Sequence, residues 1–297
     1  MVRVRDLDAG GERLLRIYDQ TTSTNDVAKR LAAAGAPNGL AVAAHRQTQG
    51  RGRRGHRWSS ARETMCISVV LRPDVPMPFF VALPAVATLS VLGALRDLTG
   101  LGTRLGVKWP NDLVAFGAGE RPGASDGRKL GGMLVEAGHD GSGAYAVAGQ
   151  GVNMWSASTP AGGRPDPTAP AGQVEPAASV RPLEPASLED LLGADAVPPF
   201  DDLAEALRER VTLTVGEWAA RLRAQGASLT SPLDPILGEL YDAMPALGHR
   251  VVALSPQGET VASGILAGVD GWGRAVLATQ EGERHLASEQ VSLRVQG

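Results

Sequence analysis

Short apolar runs broken by turn residues fill the first half of the chain and predict strands over 39–44, 65–71, 105–109, 113–116, 130–136 and 144–148. The run 65–71, Met-Cys-Ile-Ser-Val-Val-Leu, is apolar almost throughout, as a buried strand requires. Helical spacing replaces this texture in three places. An Ala-rich stretch over 26–34 follows Thr-Ser-Thr-Asn, which supplies an N-cap, and precedes Gly35. The run 84–98 begins at Pro84, a residue suited to a first helical turn. Over 201–224, Leu203, Leu207, Val211, Trp218 and Leu222 share one helical face, with Gly216 weakening the middle. Residues 156–199 are dense in Pro, Ala and Gly without a hydrophobic period, so they read as a surface insertion or mobile loop. Beyond Gly248, runs over 250–254, 261–266, 275–278 and 291–295 between turn signals predict a small β-barrel. The change of texture divides the chain into residues 1–245 and 246–297.

Composition narrows the class. A chain of 297 residues with 43% apolar and 21% charged residues buries a sizeable core and is not wholly disordered. Its net charge of −3 excludes a generally basic nucleic-acid coat while leaving room for a local basic site. One cysteine, Cys66, excludes an internal disulfide. The apolar run 79–95 contains Pro84, Thr88, Ser90 and Gly93, which suits a buried helix better than a membrane span. The N-terminal residues have no apolar signal-peptide segment, so a soluble cytoplasmic protein is expected.

Candidate chemistry follows from residues that the composition makes rare. Of 29 basic residues only Lys29, Lys108 and Lys129 are lysines, and asparagine occurs only at 25, 38, 111 and 153. A compact ammonium and a neutral amide do things that Arg and Asp cannot copy. The segment 47–58, Gln-Thr-Gln-Gly-Arg-Gly-Arg-Arg-Gly-His-Arg-Trp, formally contains the dinucleotide fingerprint at Gly50, Gly52 and Gly55. A strand rather than a helix follows it, so a loop that closes amides and guanidiniums over an anion fits better, beside a solvated basic loop or a nucleic-acid patch. Lys108-Trp-Pro-Asn111-Asp112 offers an ammonium, an amide and a hard oxygen ligand for a nucleotide and its magnesium, or simply a hairpin turn. Lys129-Leu-Gly131-Gly132 lets a ligand approach backbone beside an ammonium, or marks a bulge. Ser23-Thr24-Asn25 doubles as a helix cap, and Gly149-Gln-Gly151-Val-Asn153 as a glycine turn. There is no Walker A loop, no G-x-S-x-G elbow, and no metal-ligand spacing among His45, His56, His139, His249 and His285.

Taken in order, Ser23-Thr24-Asn25, the segment 47–58, Lys108 to Asp112, Lys129 to Gly132 and Gly149 to Asn153 closely resemble the biotin protein ligase family. The resemblance implies an α+β fold: a mixed-sheet catalytic domain similar to those of class II aminoacyl-tRNA synthetases and biotin ligases, followed by a small SH3-like β-barrel. It implies that biotin and ATP are substrates, that Mg2+ assists, and that biotin passes through biotinyl-5′-AMP to a lysine of a biotin carboxyl carrier protein. By the same resemblance Ser23, Thr24, Asn25, Gln47, Gly50, Arg51, Gly52, Arg53, Trp58, Lys129, Gly131 and Gly132 would hold biotin. Arg51, Arg54, Arg57, Lys108, Asn111, Asp112, Lys129, Gly151 and Asn153 would serve ATP or the adenylate, with Asp112 on the metal. Arg53, Lys108 and Lys129 would be catalytic, and Arg51, Arg53, Lys129 and the metal would offset the repulsion between carboxylate and triphosphate.

The sequence also departs from the family. His56 stands where another arginine is common, and the segment after Asn153 is unfamiliar, with Trp155 a candidate to stack on adenine. About 20 residues precede the first motif, which leaves no room there for the helix-turn-helix of bifunctional members, so no DNA-binding activity is expected. Two other readings stay open: a lipoate or octanoyl ligase of similar architecture, and a non-catalytic nucleic-acid-binding protein using the Arg-rich loop.

Overall fold

The computed structural model describes residues 2–5, 14–52, 64–156, 180–226 and 231–296. Eight strands form a mixed sheet: β1 (Val2–Arg5), β2 (Leu15–Tyr18), β3 (Ala41–Ala44), β4 (Thr64–Leu71), β5 (Leu105–Lys108), β6 (Asp112–Ala115), β7 (Arg128–Asp140) and β8 (Gly143–Asn153). Their order is β1-β2-β3-β4-β8-β7-β6-β5, with β2 and β3 parallel and the other pairs antiparallel. Central β4 is buried at every position, which is why its sequence is an apolar run rather than an alternation.

Each face of the sheet has its own cover. Helix α1 (Thr24–Ala33) lies on one face, where Val27, Ala28 and Ala32 meet Val42, Val70, Tyr145 and Val147. Helices α2 (Leu83–Thr99) and α4 (Phe200–Gln225) cover the other. Met77–Thr99 is long and apolar enough to cross a membrane, yet 61% of its apolar window is buried, as a core helix requires. Helix α4 runs through Gly216 without a break, because Leu203, Leu207, Val211, Val215, Trp218 and Leu222 all bury on one side. Tertiary packing there outweighs the local preference of one glycine.

A second sheet follows helix α5 (Leu237–Ala243): β9 (Arg250–Leu254), β10 (Thr260–Val269), β11 (Ala275–Thr279), β12 (Gly282–Leu286) and β13 (Ser292–Val295). It is antiparallel in the order β12-β11-β10-β9-β13. Its inward residues Val251, Ala253, Leu277 and Leu293 belong to the same buried cluster as Val107, Met244 and the α2–α4 face.

The structure revises two expectations. Residues 149–153 are not a turn but the end of β8, and β7 and β8 run to 13 and 11 residues because their glycines sit inside the ladder. Within the expected insertion, residues 180–199 are anchored to the fold rather than free of structure. Lys129 bridges Pro185, Ser187 caps α3 (Leu188–Leu192) with Asp190 completing a capping box, and Ala186 and Leu188 are buried. The remainder of the expected insertion, 157–179, lies outside the described residues.

Candidate active site

The first turn of α1 is tied into the sheet by buried polar groups. Ser23 is the N-cap in extended geometry, its hydroxyl accepting from Asp26 N. Thr24 donates both its backbone N–H (2.6 Å) and its hydroxyl (3.0 Å) to Oε1 of Gln47. Ser68 Oγ of β4 lies 2.8 Å from Thr24 Oγ1 and 2.6 Å from Asn25 Oδ1. Asn25 Nδ2 donates to Glu136 of β7 at 2.8 Å. Opposite, Gly149 has no room for a side chain, since a Cβ there would stand 1.9 Å from Asn25 Oδ1. Ser23, Thr24, Asn25 and Gln47 are therefore brought together, and Ser68 joins them although nothing in the motif pattern singled it out.

Beside this cluster the sheet presents a floor nearly free of side chains. Ala44 pairs with Cys66, Cys66 with Gly151, Gly151 with Gly132, and Gly132 with Asp112. Directly opposed residues point to the same face, so these five form one row across β3, β4, β8, β7 and β6. At about 4.8 Å per strand the row is about 19 Å long. Gln47 and Arg51 follow the Ala44 end. Lys129 and Asp112 stand at the other, joined at 2.7 Å. A Cβ on Gly132 would sit 3.1 Å from Asp112 Oδ1 and 3.5 Å from Lys129 Nζ. Gly131, next along the strand, points to the opposite face, where Gly151 O (2.4 Å) and Gln150 Nε2 (2.9 Å) fill the space a Cβ would need. Packing thus explains Gly131, and Gly132 is the one that belongs to the row; this strip of mostly small residues is the candidate trench.

The remaining predicted residues divide. Asn111 donates Nδ2 to Met133 O, and Asn153 donates Nδ2 to Lys129 O (3.2 Å) and Ala186 O (3.0 Å), so both brace the Lys129–Asp112 end. Lys108 on β5 is directly opposed to Asp112 and so extends the row by one strand, but its ammonium is turned away from the small-residue floor. Its ammonium is buried under the second sheet, donating to Leu293 O at 2.5 Å and lying 3.4 Å from Asp126. Burial pushes its pKa down while Asp126 opposes that shift. Next to it Trp109 Nε1 donates to Gly273 O at 3.0 Å, so this segment is a seam between the sheets. The Arg51 guanidinium, expected to face an anion, is instead given to Asp26 and Glu136. Trp155 is partly exposed. Arg53, Arg54, His56, Arg57 and Trp58 lie outside the described residues. A separate apolar cavity of ≈ 390 Å³ between α2, β7 and the second sheet, lined by Phe80, Trp109, Met133 and Trp272 among others, includes none of the residues expected to hold biotin or ATP.

Residues 17–153 match the biotin/lipoate A/B protein ligase family. Across nearly the whole chain the protein is similar to the biotin–(acetyl-CoA-carboxylase) ligase of Paracoccus denitrificans, 31% identical over 92% of this chain and 97% of that one. It is likewise 30% identical to the ligase of the same name from Mycobacterium tuberculosis, over 90% and 84% of the two chains. The fold is that of a biotin protein ligase from Aquifex aeolicus solved with biotin and ATP, with TM-score 0.68 and 23% identity over 95% of this chain and 99% of that one. The chain belongs to the biotin protein ligase family.

Proposed function

We propose that the protein activates biotin with ATP and transfers it to a carrier protein. In the first step a carboxylate oxygen of biotin attacks the α-phosphate, the α–β phosphoanhydride bond breaks, and biotinyl-5′-AMP forms as pyrophosphate leaves. In the second step the ε-amine of a carrier lysine attacks the acyl carbon and loses a proton. The bond to AMP breaks, leaving biotin in amide linkage. The observation that carries this reading is the trench: a small-residue floor of a length that suits biotin joined to a nucleotide, with neutral hydrogen-bonding groups near one end and a lysine–carboxylate pair at the other.

The neutral end suits the ureido ring. Ser23, Thr24, Asn25 and Gln47 would surround it, with backbone amides of Arg51, Gly52 and Arg53. Lys129 would contact the biotin carboxylate and later the phosphate, held in place by Asp112 until the ligand arrives. Asn111, Asp112 and Asn153 would serve the nucleotide. A magnesium ion arriving with ATP would neutralise phosphate charge, and Asp112 would hold it, since one carboxylate suits an ion whose other ligands are phosphate oxygens and water. Lys108 would act through the fold rather than on substrate.

The acceptor would be a biotin carboxyl carrier domain of a biotin-dependent carboxylase, and the reaction would run in the cytoplasm. Residues 246–297 would form a distinct unit, since among the described residues no strand pairing joins the two sheets, although their apolar faces share one core. A lipoate ligase is the weaker reading, because the relatives that span the chain are biotin ligases. The test is incubation with biotin, ATP, magnesium and a purified carrier domain, followed by mass spectrometry. One biotinyl group on a single carrier lysine is expected, and an unmodified carrier with a folded enzyme overturns the proposal.

A further inference from the structure

The charged cluster at the start of the Arg/Gly-rich segment has a geometry that the proposed reaction does not use. Arg51 presents its two terminal nitrogens to the two oxygens of Asp26, at 3.1 and 2.5 Å, the forked pairing of a guanidinium with a carboxylate. One of those nitrogens also lies 3.5 Å from Glu136 Oε2. Glu136 in turn accepts from Lys29 Nζ at 2.7 Å and from Asn25 Nδ2 at 2.8 Å. Asp26, Lys29 and Asn25 all stand on α1, Glu136 on β7, and Arg51 on the segment that leaves β3.

The same segment is also stitched to the approach to α1 by backbone. Thr21 N donates to Arg46 O, Thr48 N to Thr21 O and Gln49 N to Thr22 O, at 2.8 to 3.0 Å. Residues 46–51 therefore run beside 21–26, and the Arg51 fork is the last tie before Gly52. The carboxylates and the two cations balance, and Asp26 sits in the first helical turn, where negative charge is favoured.

We propose that Arg51 is a positioning residue whose fork to Asp26, backed by Glu136 and Lys29, fixes the Arg51–Gly52 backbone over the biotin end of the trench and does not itself neutralise a substrate anion. The assignment rests on the biotin reading above. A side chain committed to two carboxylates adds no net positive charge at the site, whereas the backbone it anchors carries the amides that the reading gives to biotin. Asp26, which no sequence motif singled out, becomes as important as the arginine.

The test is a double-mutant cycle on biotin-dependent pyrophosphate exchange. Arg51→Met and Asp26→Asn are each expected to raise KM for biotin roughly five- to tenfold, with KM for ATP within about twofold of wild type, as loss of one charge-assisted pair at one substrate implies. The double variant is expected to be no worse than the poorer single one, and Asp26→Glu, which keeps the carboxylate, to stay near wild type. Additive effects overturn the proposal, as does an Arg51→Met variant that loses kcat or ATP affinity while Asp26→Asn changes nothing. Amide hydrogen exchange in residues 46–52 supplies a readout independent of turnover. Faster exchange in Asp26→Asn is expected, and unchanged exchange counts against the clasp even if the wild-type enzyme proves inactive with biotin.

Discussion

Gly149→Ala is a one-carbon change aimed at the hub of the site. The added Cβ would stand 1.9 Å from Asn25 Oδ1, 2.8 Å from its Cγ and 3.0 Å from its Nδ2. Asn25 is 5% exposed and has nowhere to swing, so the amide must leave its place. Leaving costs the contacts to Ser68 and Glu136, the second of them charge-assisted. Overpacking of this kind costs about 1–3 kcal/mol, and losing two such hydrogen bonds adds about 1–3 kcal/mol less whatever water restores. A destabilisation of about 2–4 kcal/mol is expected, a fall of roughly 4–12 °C in Tm if each kcal/mol moves the midpoint about 2–3 °C. Urea unfolding measures the first quantity and calorimetry the second. Biotin affinity should fall more than ATP affinity, because Asn25 sits at the biotin end. Asn25→Ala removes the obstacle, so the double variant should be less destabilised than the sum of the two single ones. A Gly149→Ala protein within about 0.5 kcal/mol of wild type, the range of neutral surface substitutions, refutes the packing argument.

Three further outcomes are expected. Lys108→Met leaves Asp126 without one of its partners and should cost about 3 kcal/mol of stability by urea unfolding. Its pyrophosphate exchange per folded molecule should stay within a few-fold of wild type, and a selective loss of ATP binding in a stable protein would return Lys108 to the site. Lys129→Met should lower exchange about 100-fold or more by removing the positive charge at the anionic end, with little change in Tm, since the Lys129–Asp112 pair is partly solvated. Burial alone would raise the Glu136 pKa, yet hydrogen bonds from Lys29 and Asn25 outweigh it and hold the carboxyl below its ordinary 4.5. A depressed acid stabilises the fold above its unfolded pKa and loses that contribution as pH falls through the folded one. Glu136→Gln should therefore flatten the stability profile below about pH 4.5, measured by urea unfolding across pH, and an unchanged acid limb contradicts the pairing.

What the sequence made legible was the list of parts rather than their facing. The strands with clear apolar runs and the three long helices were readable because their cores impose a period, and α4 survived Gly216 for the same reason. The short α3 and α5, and strands β2 and β12, carry too few periodic residues to stand out, and β12 is mostly exposed. Glycines misled most, since Gly149 and Gly151 read as a turn while the structure needs them as flat rungs of a ladder. Among site residues, Lys129 and Asp112 meet at one end of the row, while Thr24, Asn25 and Gln47 gather in the polar cluster. Gly131 is turned to the opposite face of its strand and the Lys108 ammonium is held under the second sheet, facings that spacing along the chain does not foretell. Ser68, Asp26 and Glu136 were invisible, being ordinary residues whose importance comes only from what the fold sets beside them. The one available hint for Ser68 was its hydroxyl inside the otherwise apolar run 65–71.

The most direct measurement of the central claim is exchange of labelled pyrophosphate into ATP with magnesium present, using biotin and, separately, lipoate as the acid. A trench built for biotin predicts exchange with biotin and none with lipoate, lost in Lys129→Met. Exchange with lipoate alone, or with neither acid in a folded protein, contradicts it.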